Sequence, residues 1–230
     1  MIGKVTFLVI NNPYVCFLKL LYVYHIENFI ATIPVSQYKT EYRDVSKFIE
    51  FCKVCPQYKK SWACPPFLFD ADEYVSNYQI AYILGTKITL PHSFHSSTAN
   101  SEELIKATER IIKAVRLDLD IQLLRVEKQL IGSKAFFAGA CHFCSKEECT
   151  RRLDKSCLYP EKVRPSLESF GFDIGKTTEE LLGIKLQWSS KNHPPEYLTL
   201  VSGLFTQIPV EKIEAHFPEL FSKVKSNKKG

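Results

Sequence analysis

Seven of the eight cysteines in this 230-residue chain fall into two compact groups, and this clustering constrains the fold more than any other feature. The first group is Cys52-x2-Cys55-x8-Cys64, and the second is Cys141-x2-Cys144-x4-Cys149-x7-Cys157. A CxxC turn points two sulfurs to the same side of a tight loop, so thiolates at this spacing can converge on one metal centre. In a chain this long, clustered rather than dispersed cysteines read as metal ligands in a reducing compartment, not as a secreted disulfide scaffold. The remaining cysteine, Cys16, stands alone in an apolar stretch and reads as a buried free thiol.

The rest of the composition narrows the class without naming a function. Hydrophobic residues make up 45% and charged residues 24%, as in ordinary globular proteins, and a formal charge of +5 does not argue for nucleic acid. The apolar run Tyr14–Tyr24 is interrupted by Lys19. It is shorter than the roughly 20 residues a membrane-spanning helix needs, and it lacks a signal-peptide cleavage pattern. A buried strand or short helix is the expectation there, with no membrane span and a cytoplasmic location. The C-terminal Lys223, Lys225, Lys228 and Lys229 read as a solvated basic tail.

Hydrophobic patterning predicts strands over Phe29–Val35, Ile80–Leu90 (with a bulge or bend at Gly85), Ala135–Ala138 and Tyr197–Thr206. A short helix over Val45–Phe51 leads into the first cysteine group. A long one begins after a cap at Asn100 or Ser101 and runs towards Gly132. Leu104, Ile111, Val115 and Leu119 supply its apolar stripe, and Asp118 and Asp120 suggest a break near its middle. Pro165 and Gly171 bracket another short helix, and Thr177-x-x-Glu180 is a capping-box signature for the next, closed by Gly183. A last amphipathic helix is expected over Pro209–Val224. The expected fold is α/β or α+β, a single domain with an about four-stranded sheet, packed helices and two cysteine-rich metal loops. The expected organisation is an N-terminal extension over 1–28, the cysteine-rich domain over 29–206, and a C-terminal helix with basic tail over 207–230.

The second cysteine group has enough thiols for a complete four-ligand site. Zinc sites favour two CxxC knuckles separated by a longer spacer, whereas a [4Fe-4S] cluster tolerates uneven gaps, so the spacing favours iron–sulfur with zinc as the alternative. The first group has three cysteines and no evident fourth ligand. His92, His95 or a distant cysteine are candidates to complete it, or it holds a cluster with one iron open to substrate. Between residues 52 and 64 the chain carries Lys53, Lys59 and Lys60 and no acid. Between 141 and 164, Lys146, Arg151, Arg152, Lys155, Lys162 and Arg164 outnumber Glu147, Glu148, Asp154 and Glu161. Positive charge near an anionic cluster eases its burial. Tyr58, Trp62 and Phe67 are candidates to shield it from water. His142, beside Cys141, reads as a hydrogen-bond donor or surface residue rather than a ligand. No glycine-rich phosphate loop or Ser/His/Asp constellation is present, and His193, followed by two prolines, reads as loop.

The stretch Cys52-KV-Cys55-PQYKKSWA-Cys64-Pro65-Pro66, together with the second cysteine group followed by Arg164-Pro165-Ser166 and Glu168, resembles an uncharacterised prokaryotic family of predicted metal-binding proteins. The resemblance runs from about Ile30 to Phe205. It implies cysteine-bound metal, commonly supposed to be iron–sulfur, in a cytoplasmic protein, and brings no settled activity. The gap between Cys144 and Cys149 is longer than the family's usual one. The leading expectation is an electron-transfer protein with one or two [4Fe-4S] clusters and a redox partner protein. An iron–sulfur enzyme with an open three-cysteine cluster and a structural zinc-binding interaction module are the alternatives.

Overall fold

The computed structural model describes residues 3–6, 24–90, 101–144, 149–188 and 195–221. The sequence expectations for Tyr14–Val23, Cys16, His92, His95, the cap at Asn100, Lys146, Glu147, Glu148, His193 and the basic tail lie outside the described residues.

Among the described residues, five antiparallel strands form one sheet: β1 (Gly3–Thr6), β2 (His25–Pro34), β3 (Ile80–Thr89), β4 (Ser133–Phe136) and β5 (Tyr197–Thr206). Their spatial order is β1-β2-β3-β5-β4, so the last strand in sequence is an interior one. Four of the strands match the predicted runs, with β2 beginning earlier, at His25. The fifth, β1, pairs with Glu27–Ile30 along the edge.

The pleat sends alternate side chains of each strand to opposite faces, and both faces are buried. On one face Ile30, Leu84, Ile88 and Leu204 pack against the long helix α4 (Ser101–Gln129) through its Ile111, Val115, Leu119 and Leu123. On the other, Ile33, Ile83, Val201 and Phe205 pack against α1 (Val35–Tyr42), α3 (Ala71–Ser76) and the segment 167–184. An antiparallel sheet with helices packed on both faces is a mixed helix–sheet arrangement, of the α+β kind within the expected α/β or α+β class.

Several local expectations are corrected. Gly85 does not mark a bulge, because pairing runs in register through it on both sides, to Phe29 and to Val201. Its lack of a side chain serves packing instead, since a Cβ there would lie 2.7 Å from Leu182 Cδ1. The helix α4 runs unbroken through Asp118 and Asp120. Asp120 is held by Arg116, one turn back at 3.4 Å, and by His142 Nε2 at 2.8 Å, so its burial does not interrupt the helix. Thr177 does not open a capping box. Asp173 caps that segment by accepting from the Lys176 amide, and the Thr177 hydroxyl donates back to the Asp173 carbonyl. Among the described residues, the C-terminal stretch forms a short turn over Ile213–His216 and a short helix over Pro218–Phe221 in place of the one long helix expected.

Two elements aim the first cysteine group. Helix α2 (Val45–Val54) starts at Asp44, whose carboxylate accepts from the Lys47 amide, and carries Cys52 in its last turn. It lies beside the turn Glu168–Phe170, where a Cβ on Gly171 (φ +87°) would sit 2.8 Å from the Val45 backbone. That contact and the left-handed conformation both require glycine.

Candidate metal centre

Cys55 closes α2, and its amide donates to the Cys52 carbonyl at 3.0 Å. The loop then folds on itself through Lys59 N–H to the Pro65 carbonyl and Cys64 N–H to the Ser61 carbonyl. It re-enters the core at Phe67, which stacks on Phe170 at 4.9 Å. Phe67 is thus a core anchor, not a shield. Cys55 lies near enough to act electrostatically on both Cys52 and Cys64, and Cys52 on Cys64. Burial, opposed by the Ser61 hydrogen bond and reinforced by Cys55 and Cys52, pushes the Cys64 thiol up to about 11. Burial also raises Cys52, helped by Cys55 and by Glu168. A thiol so raised is protonated near neutrality, and binding a metal would displace that proton.

The second group follows β4. Phe137 N–H bonds the Pro165 carbonyl at 3.1 Å, and Gly139 (φ +69°) turns the chain towards Cys141. His142 tethers this turn to Asp120 on α4 and is neither a surface residue nor one of the cavity's thiol set. Cys149 precedes the turn Thr150–Leu153, and Cys157 accepts from the Tyr159 amide at 3.4 Å. Cys141, Cys144, Cys149 and Cys157 all line one small cavity of about 20 Å³, together with Trp62, Phe143, Tyr159 and Val163. Burial, opposed by the Phe143 amide and reinforced by the three other cysteines, pushes Cys141 up to about 11. The described thiols ring a void. As they stand, no three Cys, His, Asp or Glu side chains among the described residues close tightly enough to hold a single metal ion.

The two loops are fastened to each other. Arg151, two residues after Cys149 and almost fully buried, donates to the carbonyls of Ser61 (2.7 Å), Cys64 and Pro66 in the first loop. Its guanidinium lies over the Trp62 ring, 5.2 Å from the centroid, and Trp62 Nε1 donates to the Lys155 carbonyl at 3.2 Å. Sequence reasoning counted Arg151 as local positive charge, but its role in the structure is to join the loops. Arg164 is diverted in the same way, forming a bidentate pair with Glu127 on α4 at 2.7 and 2.5 Å. Glu168, a motif residue with no assigned role in the sequence reading, is the acid that acts on Cys52.

Arg151→Ala removes one donor shared by three loop carbonyls, of which the Ser61 carbonyl keeps the Cys64 amide and that of the exposed Pro66 can turn to water, so a loss of about 1–3 kcal/mol is expected. The diagnostic measurement is hydrogen exchange, in which the Lys59, Lys60 and Cys64 amides of the first loop should lose protection although the substitution lies in the second. Unchanged protection there would show that the loops are held independently.

A sheet covered on both faces, with two thiol-bearing loops bolted together, is the layout of a cysteine-rich metal-binding protein. The family model described as "Predicted metal-binding protein (DUF2284)" matches residues 35–205, and the chain belongs to this family. No curated protein and no solved structure matches the chain. Among the described residues, no helix is long and apolar enough to cross a membrane.

Proposed function

We propose that Cys141, Cys144, Cys149 and Cys157 hold a [4Fe-4S] cluster, that Cys52, Cys55 and Cys64 hold a second centre, and that the protein transfers electrons to or from a redox partner protein in the cytoplasm. The observation that carries this reading is the convergence of all four thiols of the second group on one cavity walled by aromatic side chains. The uneven gaps of this four-thiol group suit an iron–sulfur cluster better than a zinc site, which favours two CxxC knuckles separated by a longer spacer. When bound, such a cluster supplies one-electron chemistry at a potential set by hydrogen bonds to its sulfurs and by solvent access. The chain provides for both. The Tyr159 and Phe143 amides donate to the Cys157 and Cys141 sulfurs, and Trp62, Phe143 and Tyr159 limit the entry of water. Leu153 and Leu158 stand exposed in the segment that carries Cys149 and Cys157, and such exposed apolar side chains near the thiols would suit a partner protein.

A second reading, an enzyme with an open iron at the first group, is favoured by one observation. Three thiols are brought together there with Glu168 beside them, and Glu168 also lines a large cavity. Iron, sulfide and zinc content with an optical spectrum, on protein purified without oxygen, tests the proposal. About eight irons with matching sulfide are expected for two clusters, and about four for one. Zinc without sulfide would overturn the redox reading in favour of a structural, partner-binding module.

A further inference from the structure

The small cavity ringed by the four thiols of the second group is not built by that group alone. Gln57, Ser61 and Trp62 of the first loop line it too, and all three stand between Cys55 and Cys64 in sequence. The contacts that fasten the loops have the same placing on the other side. Arg151 donates to the Ser61, Cys64 and Pro66 carbonyls, and the Lys155 carbonyl accepts from Trp62 Nε1 at 3.2 Å. Both residues stand between Cys149 and Cys157. Each bridging segment is thus a stretch of chain with a thiol of its own group at either end.

That placing has an energetic consequence. Residues 55–66 lie outside every helix and strand, and their backbone bonds are local turns, such as Tyr58 N–H to the Cys55 carbonyl and Lys60 N–H to the Gln57 carbonyl. A metal held by Cys55 and Cys64 closes the ends of the first segment, and one held by Cys149 and Cys157 closes the second. Closure removes chain freedom that the bridging contacts would otherwise have to remove themselves. Whichever group fills first therefore presents the other with a segment already in place. Repulsion between two anionic thiolate centres works against this, but Arg151, buried where the loops meet, is close enough to Cys64 to favour its thiolate.

We propose that the two thiol groups hold metal cooperatively, through the Arg151 and Trp62 contacts that join segment 56–63 to segment 150–156. Coupling of this kind is reciprocal, so metal in either group tightens the hold of the other. The proposal rests on the reading that both groups hold a metal centre, and not on which metal it is. With metal in excess an intact group still fills when the other is lost, so the coupling shows in how tightly metal is held rather than in metal content.

The test follows metal release from full-length protein purified without oxygen, with its iron, sulfide and zinc measured first. The acceptor is an excess of bathophenanthroline disulfonate where the metal is iron, or of EDTA where it is zinc. Cys55→Ala retains the second centre alone, and Cys141→Ala the first alone. Uncoupled centres would make the wild-type trace the sum of these two. The wild type should instead release its metal about fivefold or more slowly than that sum, the low end for coupled sites. Arg151→Lys keeps the charge and loses the forked contact with the carbonyls. In that background the two-centre trace should match the sum of its single-centre traces, as a double-mutant cycle requires if the contact carries the coupling. Should Arg151→Lys fail to fold, Trp62→Phe, which removes the donor to the Lys155 carbonyl, takes its place. A wild-type trace equal to the sum, metal in only one group of the wild type, or slowing that survives Arg151→Lys intact would each overturn the proposal. Zinc without sulfide would sink the cluster reading alone, and the release comparison would still decide the coupling.

Discussion

Cys149→Ala is expected to strip the second cysteine group of its iron and sulfide as completely as Cys141→Ala does, while metal at the first group stays. The expectation rests on position. Cys149 lines the same cavity as Cys141, Cys144 and Cys157, despite the long gap that separates it from Cys144 in sequence. A four-thiolate cluster that loses one ligand exposes an iron and becomes labile. For a chain with two clusters, iron should fall from about eight to about four per molecule, and Cys52→Ala should give the complementary loss. Full metal content in Cys149→Ala would show that the second centre uses only three of these thiols.

The second large effect is on stability. Arg164→Ala removes the guanidinium that faces Glu127 through two hydrogen bonds, in a pair whose side chains are only 7% and 12% exposed. The remaining carboxylate would be buried with a single amide, that of Ala135, and Lys134 at 3.2 Å for company. Breaking one side of such a pair costs about 3–5 kcal/mol, which for a chain of this size lowers Tm by roughly 10 °C. The pH dependence follows from the sign of the Glu127 shift. Burial alone would raise its pKa, but the hydrogen bonds from Arg164 and Ala135 outweigh that and hold it below the usual carboxylate range. A depressed folded pKa contributes stability that is fully present above the unfolded value, about 4.3, and is lost as the pH falls through the folded one. Thermal melts of wild type and variant between pH 3 and pH 7 would read this directly. A variant that melts with the wild type at pH 7 would show that the pair contributes nothing.

Much of this architecture was legible in the sequence, for identifiable reasons. Three strands were visible because each is a run of apolar and β-branched residues bounded by turn residues, and the fourth because Ala135–Ala138 is a short apolar, aromatic run before a glycine. The long helix was visible because Ile111, Val115 and Leu119 repeat at its period. The cysteine groups announced themselves by spacing, and the structure brings each together. What stayed hidden depends on distant partners. β1 is four residues long and takes its meaning only from pairing with β2. Thr177-x-x-Glu180 has the letters of a capping box, but Asp173 reaches the helix start first. Arg151, Arg164 and Glu168 looked like surface or motif charges because the groups they contact lie about 90, 37 and 116 residues away in sequence. His142, read as a hydrogen-bond donor or a surface residue, is no surface residue: it pairs with Asp120 on α4, a partner with no sign in the sequence.

The order of the strands also bears on how the molecule is made. Synthesis proceeds from the N-terminus, and β5, the last of the described strands to leave the ribosome, is the one that joins β3 to β4. Until Thr206 has emerged, β4 has no described partner in the sheet, so the turn that carries Cys141 springs from a strand not yet held in place. The first loop must likewise wait for Arg151 before its carbonyls are fastened. Both sets of thiols are therefore translated well before they are organised. A nascent chain exposes them as soft, reactive groups, and metal is best delivered once Thr206 has emerged.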